Sequence, residues 1–330
     1  MKKLFTLLAL TITFSMNAQV STDGTSNSGI DASAIGVETT ASGYSSIAMG
    51  YQTTASGDVS TAIGQQTTAS GDNSFAMGDS TTASGNASTT IGVETTASGY
   101  NSIAMGYQTT ASGAVSTAIG QQTTASGDIS FAMGDHSIAS GTVSTAMGNY
   151  TTASGNRSTA MGRYTIASDY ASLVIGLYNS SGSSVTDSGT SFSTSNTAFV
   201  IGNGTSDSLS DAFKVMFNGD TTVSNDLTVS GDVNVNSDAR LKSNIVSLGS
   251  TLSKLLLIDG KSYVMNRNGK QKIGVLAQEI QEVFPELVSE DDNEMLAVNY
   301  QGLVPVLINA IKEQNEKITR LEVLVEKLIK

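Results

Sequence analysis

The chain contains no cysteine and no tryptophan, and only two prolines and one histidine in 330 residues. Without cysteine there is no disulfide scaffold, no thiolate metal site and no lipid-modified N-terminal cysteine. No metal motif is present, so neither a metal nor another cofactor is expected. Basic residues are almost as scarce upstream. Between residues 21 and 236 only Arg157, Arg163 and Lys214 occur, in a chain of formal net charge −12. That acidic surface repels nucleic-acid phosphates and anionic lipid, so neither is an expected direct partner. Long apolar runs are missing too. The run from Leu4 to about Phe14 is too short to span a bilayer. With Lys2 and Lys3 before it and "MNA" after it, it reads as a secretory signal over residues 1–18, cleaved after Ala18. Residues 19–30 follow as a linker. The expectation is an exported protein, extracellular or at the cell surface, with no direct membrane span.

What the chain does have is a fourteen-residue period. Gly36, Gly50, Gly64 and so on to Gly176 recur without a slip, each closing a phrase such as "SIAMG" or "STAIG". Half a period later comes "ASG", from Gly43 to Gly155, until Asp169 stands where glycine is expected. The phrase "GVETTASGY" at residue 36 recurs at residue 92, which marks a duplicated block of four repeats. Two glycines per repeat predict two short strands and two turns. Stacking such coils predicts a mainly β architecture, a parallel β-solenoid over residues 31–177. Eleven coils at about 4.8 Å each give a rod of roughly 50 Å. Each repeat offers one large aliphatic residue, such as Ile35, Met49 or Ile63, beside an alanine. A core that thin calls for several chains packed side by side.

The phrases "SIAMGYQTTASG" and "STAIGQQTTASG" resemble the head repeats of trimeric autotransporter adhesins of the YadA type. The resemblance implies a homotrimer of left-handed parallel β-rolls and a host or matrix surface ligand of unspecified kind. Two other readings exist. Thr-Thr pairs at 39–40 and at each repeat up to 123–124 could order water, as an ice-binding fibre would. Asp72 with Asp79, and Asp128 with Asp135, could supply the two carboxylates of a tail-spike-like glycosidase; turn formation is their ordinary role. His136, in a repeat turn, reads as solvated and not catalytic.

Residues 178–196 are rich in Ser and Thr and read as a linker. Residues 197–236 read as a β-stem. "NTAFVIGNG" is strand-like, and from Val223 to Val235 apolar residues keep to odd positions while every even position is polar. The apolar face of that ribbon is expected to pack against sister chains. From residue 237 to 330 the composition becomes globular. "GKQKIGVLAQEIQEVFPEL" reads as a strand entering a short helix that Pro285 ends. The final segment carries a heptad, with Val304, Ile311, Ile318 and Val325 in one column and Leu307, Gln314, Leu321 and Leu328 in the other. A coiled coil follows, with Pro305 in its first turns.

"SDARLKSNI", then "KIGVLAQEIQEVFPELV", then "VNYQGLVPVLINAIKEQNEKITRLE", are similar in sequence and order to the C-terminal intramolecular chaperone of phage endosialidases. That family is a self-cleaving serine peptidase that assembles an upstream β-rich trimer and then cuts itself off. The resemblance implies Ser237 as nucleophile, Lys242 as base and Asn236–Ser237 as the scissile bond, with Asp238, Arg240 and Asn244 also matching the motif. The peptidase would act once, on its own chain, and on no other substrate. Residues 237–330 hold neither His nor Cys, so a Ser–His triad is excluded there. A lysine acts as a base only if burial or a neighbouring cation lowers its pKa, and Arg240 is the nearby cation. Five residues turn about 500° in an α-helix, so Ser237 and Lys242 cannot share a helical face. They must meet through a turn or across two chains. The plain alternative is that Ser237 caps a short helix and Lys242 is solvated.

Overall fold

The computed structural model describes residues 23–180, 188–291 and 294–329. The signal segment expected at 1–18 lies outside the described residues. The chain divides into two units, residues 1–230 and 231–330.

The first unit is the predicted solenoid. Each coil supplies a five-residue strand, such as Ile103–Tyr107, and a two-residue strand, such as Thr110–Ala111. Successive coils pair in parallel at a fixed register, with Ala104 on Ala118 and Gly106 on Gly120. The short strands form an 11-stranded sheet, and the long strands begin a 14-stranded one. The two glycines of a coil serve different ends. Gly106 has φ +127°, which side chains rarely adopt. Gly113 has an ordinary backbone, but a Cβ there would lie 2.0 Å from the carbonyl oxygen of Gly127 on the next coil. The left-handed turn positions themselves are held by other residues, for instance Gln108 at φ 53° and Val115 at φ 57°.

The core differs from the expectation. Thr109, Ala111, Ser116 and Ala118 are the fully buried set of one coil, and the same four columns are buried along the rod. Ile35 and Met49, expected inside, each keep 38% of their surface exposed. The reason is strand alternation in a narrow coil. In Ile47–Ala48–Met49 only the alanine faces inward, because the two sheets leave room for nothing larger than threonine. Valine enters the core only at the last rungs, as Val174 and Val200. The interior is therefore small, and the backbone ladder between coils carries much of the cohesion. The Ile and Met side chains form a column on the outside.

The end of the rod is built by residues that break the repeat. Past Gly155 the next turn holds Asp169, whose buried carboxylate accepts the backbone N–H of Thr197 at 2.7 Å. Asn179 occupies the threonine column, and its side-chain amide pairs with both the N–H and the C=O of Ile166 at 2.8 and 3.1 Å. It thereby replaces the strand that would come next and blunts the edge of the short sheet. Thr197–Asn203 adds one more parallel rung, setting Phe199 against Leu173 and Gly202 against Gly176. Asp211–Met216 and Thr221–Val223 then pair antiparallel and complete the long sheet.

Strand structure stops at Val223, short of the expected stem boundary at residue 236. The alternating residues Leu227, Val229, Val233 and Val235 are all exposed. An isolated ribbon has no surface on which to bury one face, so the alternation does not form a strand within a single chain.

The second unit is small and α+β. A short helix, α1 (Leu252–Leu255), precedes the hairpin Lys261–Val264 and Gln271–Gly274. Helix α2 (Ala277–Val283) follows, then the hairpin Val288–Glu290 and Leu296–Val298, and finally the long helix α3 (Leu303–Ile329). Pro305 lies in the first turn of α3, where its missing N–H has no partner to lose. Ile280 from α2 and Phe284 just after it meet Val306 from α3 in the core, with Leu255, Val275 and Leu303 around them. Glu313 fastens α1 to α3. Its carboxylate accepts the N–H of Thr251, the hydroxyl of Ser250 at 2.8 Å and the N–H of Leu252 at 3.3 Å. The buried Thr251 hydroxyl also donates to the Val306 carbonyl at 3.1 Å. These hydrogen bonds, the Thr251 amide above all, hold the Glu313 carboxyl below its ordinary pKa. The heptad residues Ile311, Ile318, Leu321, Val325 and Leu328 are exposed on α3.

Candidate functional site

Asp238 opens a single 3-10 turn, Ala239–Leu241, and Lys242 closes it in extended conformation. The turn forms because the Asp238 side chain accepts the N–H of Arg240 at 2.8 Å, an N-cap that aspartate makes readily. The capping residue is therefore Asp238 and not Ser237. Leu241 and Lys242 donate their amides to the carbonyls of Asp238 and Ala239, each at 3.1 Å. Three residues per turn and extended backbone on both flanks bring residues 237 and 242 to the same side. The Lys242 side chain reaches back, and Nζ donates to Ser237 Oγ at 2.6 Å. This is a contact through a turn, made within one chain.

Arg240 is otherwise engaged. Its guanidinium grips Asp238 through two parallel bonds, Nε to Oδ1 at 3.0 Å and Nη2 to Oδ2 at 2.8 Å. This fork holds the Asp238 carboxyl below its usual value and raises Arg240 above its own. The pair is neutral overall, so Arg240 is not a free cation acting on Lys242. Asn244, given no role from the sequence, has φ 52°, a left-handed conformation that asparagine tolerates better than most residues. It turns the chain just beyond Lys242. Asn236 precedes Ser237 in exposed, irregular backbone. Ser237 and Lys242 are themselves exposed, with the apolar Leu241, Ile245 and Val246 exposed beside them.

The carboxylates singled out on the rod have structural work. Asp58, Asp72 and Asp128 each accept a turn amide of the coil before, from Tyr44, Asp58 and Ala114 at 2.9, 3.1 and 2.9 Å. Asp79 accepts the hydroxyl of its neighbour Ser80 at 2.9 Å. Asp135 binds the ring Nδ1 of His136 at 2.6 Å and the amide of Asn149 at 2.8 Å. Nor do the Thr-Thr pairs make one outward array. Thr53 and its column are buried, and only the second threonine of each pair faces out, half-buried. His136 is less solvated than expected, because its ring stacks on Tyr150 at 4.2 Å. Among the described residues no cluster of His, Asp or Glu is arranged to hold a metal, and no helix is long and apolar enough to cross a membrane.

Sequence reasoning did not find the Glu313 latch or the amide cap of Asn179. "STL" at 250–252 does carry a helix-start signature, but its acceptor lies 62 residues away from Thr251.

Residues 237–289 match a family model described as the chaperone of endosialidase, and the match begins at Ser237. Overlapping windows covering 28–137, and a further one over 139–165, match the YadA head domain repeat. Among characterised proteins, the long tail fiber protein Gp37 of Escherichia phage AR1 is 37% identical over 84 residues, 22% of this chain and 8% of that protein. Gp37 of Enterobacteria phages K3 and T2 is 29% identical over 92 residues, 25% of this chain and 7% of theirs. The chain thus spans less than a tenth of the length of these relatives. It carries YadA-type head repeats followed by a segment of the endosialidase-chaperone type, the parts of a tail-fibre-like or adhesin-like protein.

Proposed function

We propose that this protein is an exported, adhesin-like homotrimeric fibre. Its C-terminal region would assemble three copies and then release itself by cutting Asn236–Ser237. The observation that carries this reading is the 2.6 Å contact of Lys242 Nζ with Ser237 Oγ, formed at the residue where the chaperone match begins. In the reaction, neutral Lys242 takes the proton of Ser237 Oγ. Oγ adds to the Asn236 carbonyl carbon, the C–N bond breaks, and the proton passes to the new Ser237 amine. Water then hydrolyses the resulting ester, which frees the Asn236 carboxylate and restores the serine hydroxyl.

Self-association accounts for three apolar surfaces at once. In one chain the Ile and Met column of the rod is half-buried to exposed, and the apolar odd residues from Leu227 to Val235 and the heptad face of α3 are exposed. Copies of the same sequence in register would cover each of them. Such copies would also cover Leu241, Ile245 and Val246, and so draw water away from Lys242. Desolvation favours a neutral amine. The dyad is thus placed by its own chain and made reactive by its neighbours, so cleavage would follow assembly. Register needs such supervision, since a slip by one coil keeps almost every contact of a repeat.

Intact mass of the purified full-length protein tests the reading. Products ending at Asn236 and starting at Ser237 are expected, while Ser237→Ala and Lys242→Met stay full length. Cleavage of Ser237→Ala at that bond would remove Ser237 as nucleophile. A dilute monomer that cuts as fast as the trimer would remove the coupling to assembly.

A further inference from the structure

Down one edge of the rod runs a column of turn residues, one per coil, each in left-handed conformation. Over the first seven coils it reads Glu, Gln, Gln, Ser, Glu, Gln, Gln, and neighbours satisfy one another, as Gln52 does Glu38 and Gln108 does Glu94, both at 2.6 Å. The last four members are His136, Tyr150, Tyr164 and Tyr178. Their rings stack at 4.2, 4.7 and 4.6 Å, with planes within 12° of parallel. A tyrosine at φ near +52 to +55° is a costly choice of residue, and this column makes it at Tyr164 and Tyr150. The change is local. The duplicated block has Ser80 where its second copy has His136, so the aromatic column begins within the second copy.

The preceding residue of the Tyr164 coil is Arg163, one of three basic residues between positions 21 and 236. Its guanidinium lies 5.5 Å from the Tyr164 ring centre and 5.9 Å from that of Tyr178. Among the described residues no carboxylate lies within ion-pair distance of it. An acidic rod therefore presents an unpaired cation, and presents it on an aromatic rail. Rings stacked this closely cover each other's faces. What they leave to solvent is their edges, a row of phenol hydroxyls at the spacing of the coils. A single sugar that needs an open ring face does not suit such a rail. A chain of hydroxylated rings lying along the rod does, since each ring meets a fresh hydroxyl donor. The guanidinium adds a seat for a carboxylate.

We infer that the Tyr150–Tyr164–Tyr178 rail with Arg163 binds an acidic, carboxylate-bearing polysaccharide lying parallel to the fibre axis. This rests on the adhesin reading and names its ligand class. The column lies one residue beyond the long strands, so association through the Ile and Met column leaves it at the rim. Three copies would offer three parallel rails, and a polymer engaging more than one gains by avidity.

Calorimetric titration of the assembled full-length protein with hyaluronan and polygalacturonate, against dextran as the neutral polymer, tests this. Saturable binding to at least one acidic polymer is expected, weakening with salt, with dextran weaker by tenfold or more. Arg163→Gln should weaken it at least tenfold. The triple Tyr→Phe variant at 150, 164 and 178 keeps the stack and should also lose affinity, while Arg157→Gln on the opposite turn should not. Equal binding of dextran, no binding of either acidic polymer, or unchanged affinity in both rail variants would overturn the inference. Light scattering and intact mass on the same samples separate the two readings. A cleaved trimer that binds no acidic polymer removes the ligand alone, whereas a protein that never trimerises removes the fibre reading itself.

Discussion

Replacing Gly113 by alanine puts one methyl carbon between two coils, and its effect follows from distances. The Cβ would stand 2.0 Å from the Gly127 carbonyl oxygen, where ordinary contact begins near 3.4 Å. The coils must separate by more than an ångström at that point. Ser112 N–H to Ala125 O at 2.9 Å, Gly113 N–H to Ala125 O at 3.3 Å and Thr110 N–H to Thr123 O at 2.9 Å all cross the gap. At about 1 kcal/mol each, losing two or three costs about 2–3 kcal/mol per chain. That corresponds to roughly 4–12 °C in melting temperature for a rod-sized unit. Because coils contact only their neighbours, the defect also divides the rod, and melting should broaden or split into two steps. Far-UV circular dichroism reads both effects. Gly231→Ala is the control, since a Cβ there meets nothing within 4 Å. If the two variants melt together, the close-approach account of the repeat glycines is wrong.

Glu313 gives a pH dependence. Its carboxyl is held low in the folded unit, mainly by the Thr251 amide, so the stability it contributes is present above the unfolded carboxylate pKa and is lost as pH falls through the folded one. Melting of the C-terminal unit should therefore drop below about pH 4.3, and Glu313→Gln should flatten that drop while lowering stability at neutral pH. Asp169→Gly restores the repeat but removes the acceptor of the Thr197 N–H, at a cost of about 1–3 kcal/mol. Limited proteolysis should then cut between residues 178 and 197 sooner than in the parent, and an unchanged digestion pattern would show that the carboxylate is dispensable.

The period was legible because it is written in glycine, and glycine positions translate directly into backbone geometry. What faces inward was not. "SIAMG" alternates under either phase, and hydrophobicity favours burying Ile47 and Met49, whereas the narrow coil accepts only Ala48. The stem is not formed in one chain for a related reason. Val223 to Val235 alternate correctly, but alternation describes a face and not what covers it. The geometry of the candidate site was only half legible. Ser237 and Lys242 were chosen by resemblance, and the helical argument rightly denied them a helical face. The 3-10 turn that joins them rests on Asp238, whose capping role a short polar run does not announce. Glu313, Asn179 and Asp169 act across the fold, on partners no local window contains.

Since coils meet through nearly the same buried alanines, serines and threonines, the core of the rod scarcely records which coil it is. The residues that stop the stack, Asn179 and Asp169, sit together at one end. Length is thereby free to change without redesign. Duplicating the block from residue 36 to 91 would extend the reach by about 19 Å at four coils, and every new surface would already have its complement. A lineage can tune the length of the rod by copying DNA alone, while residues 231–330 stay untouched.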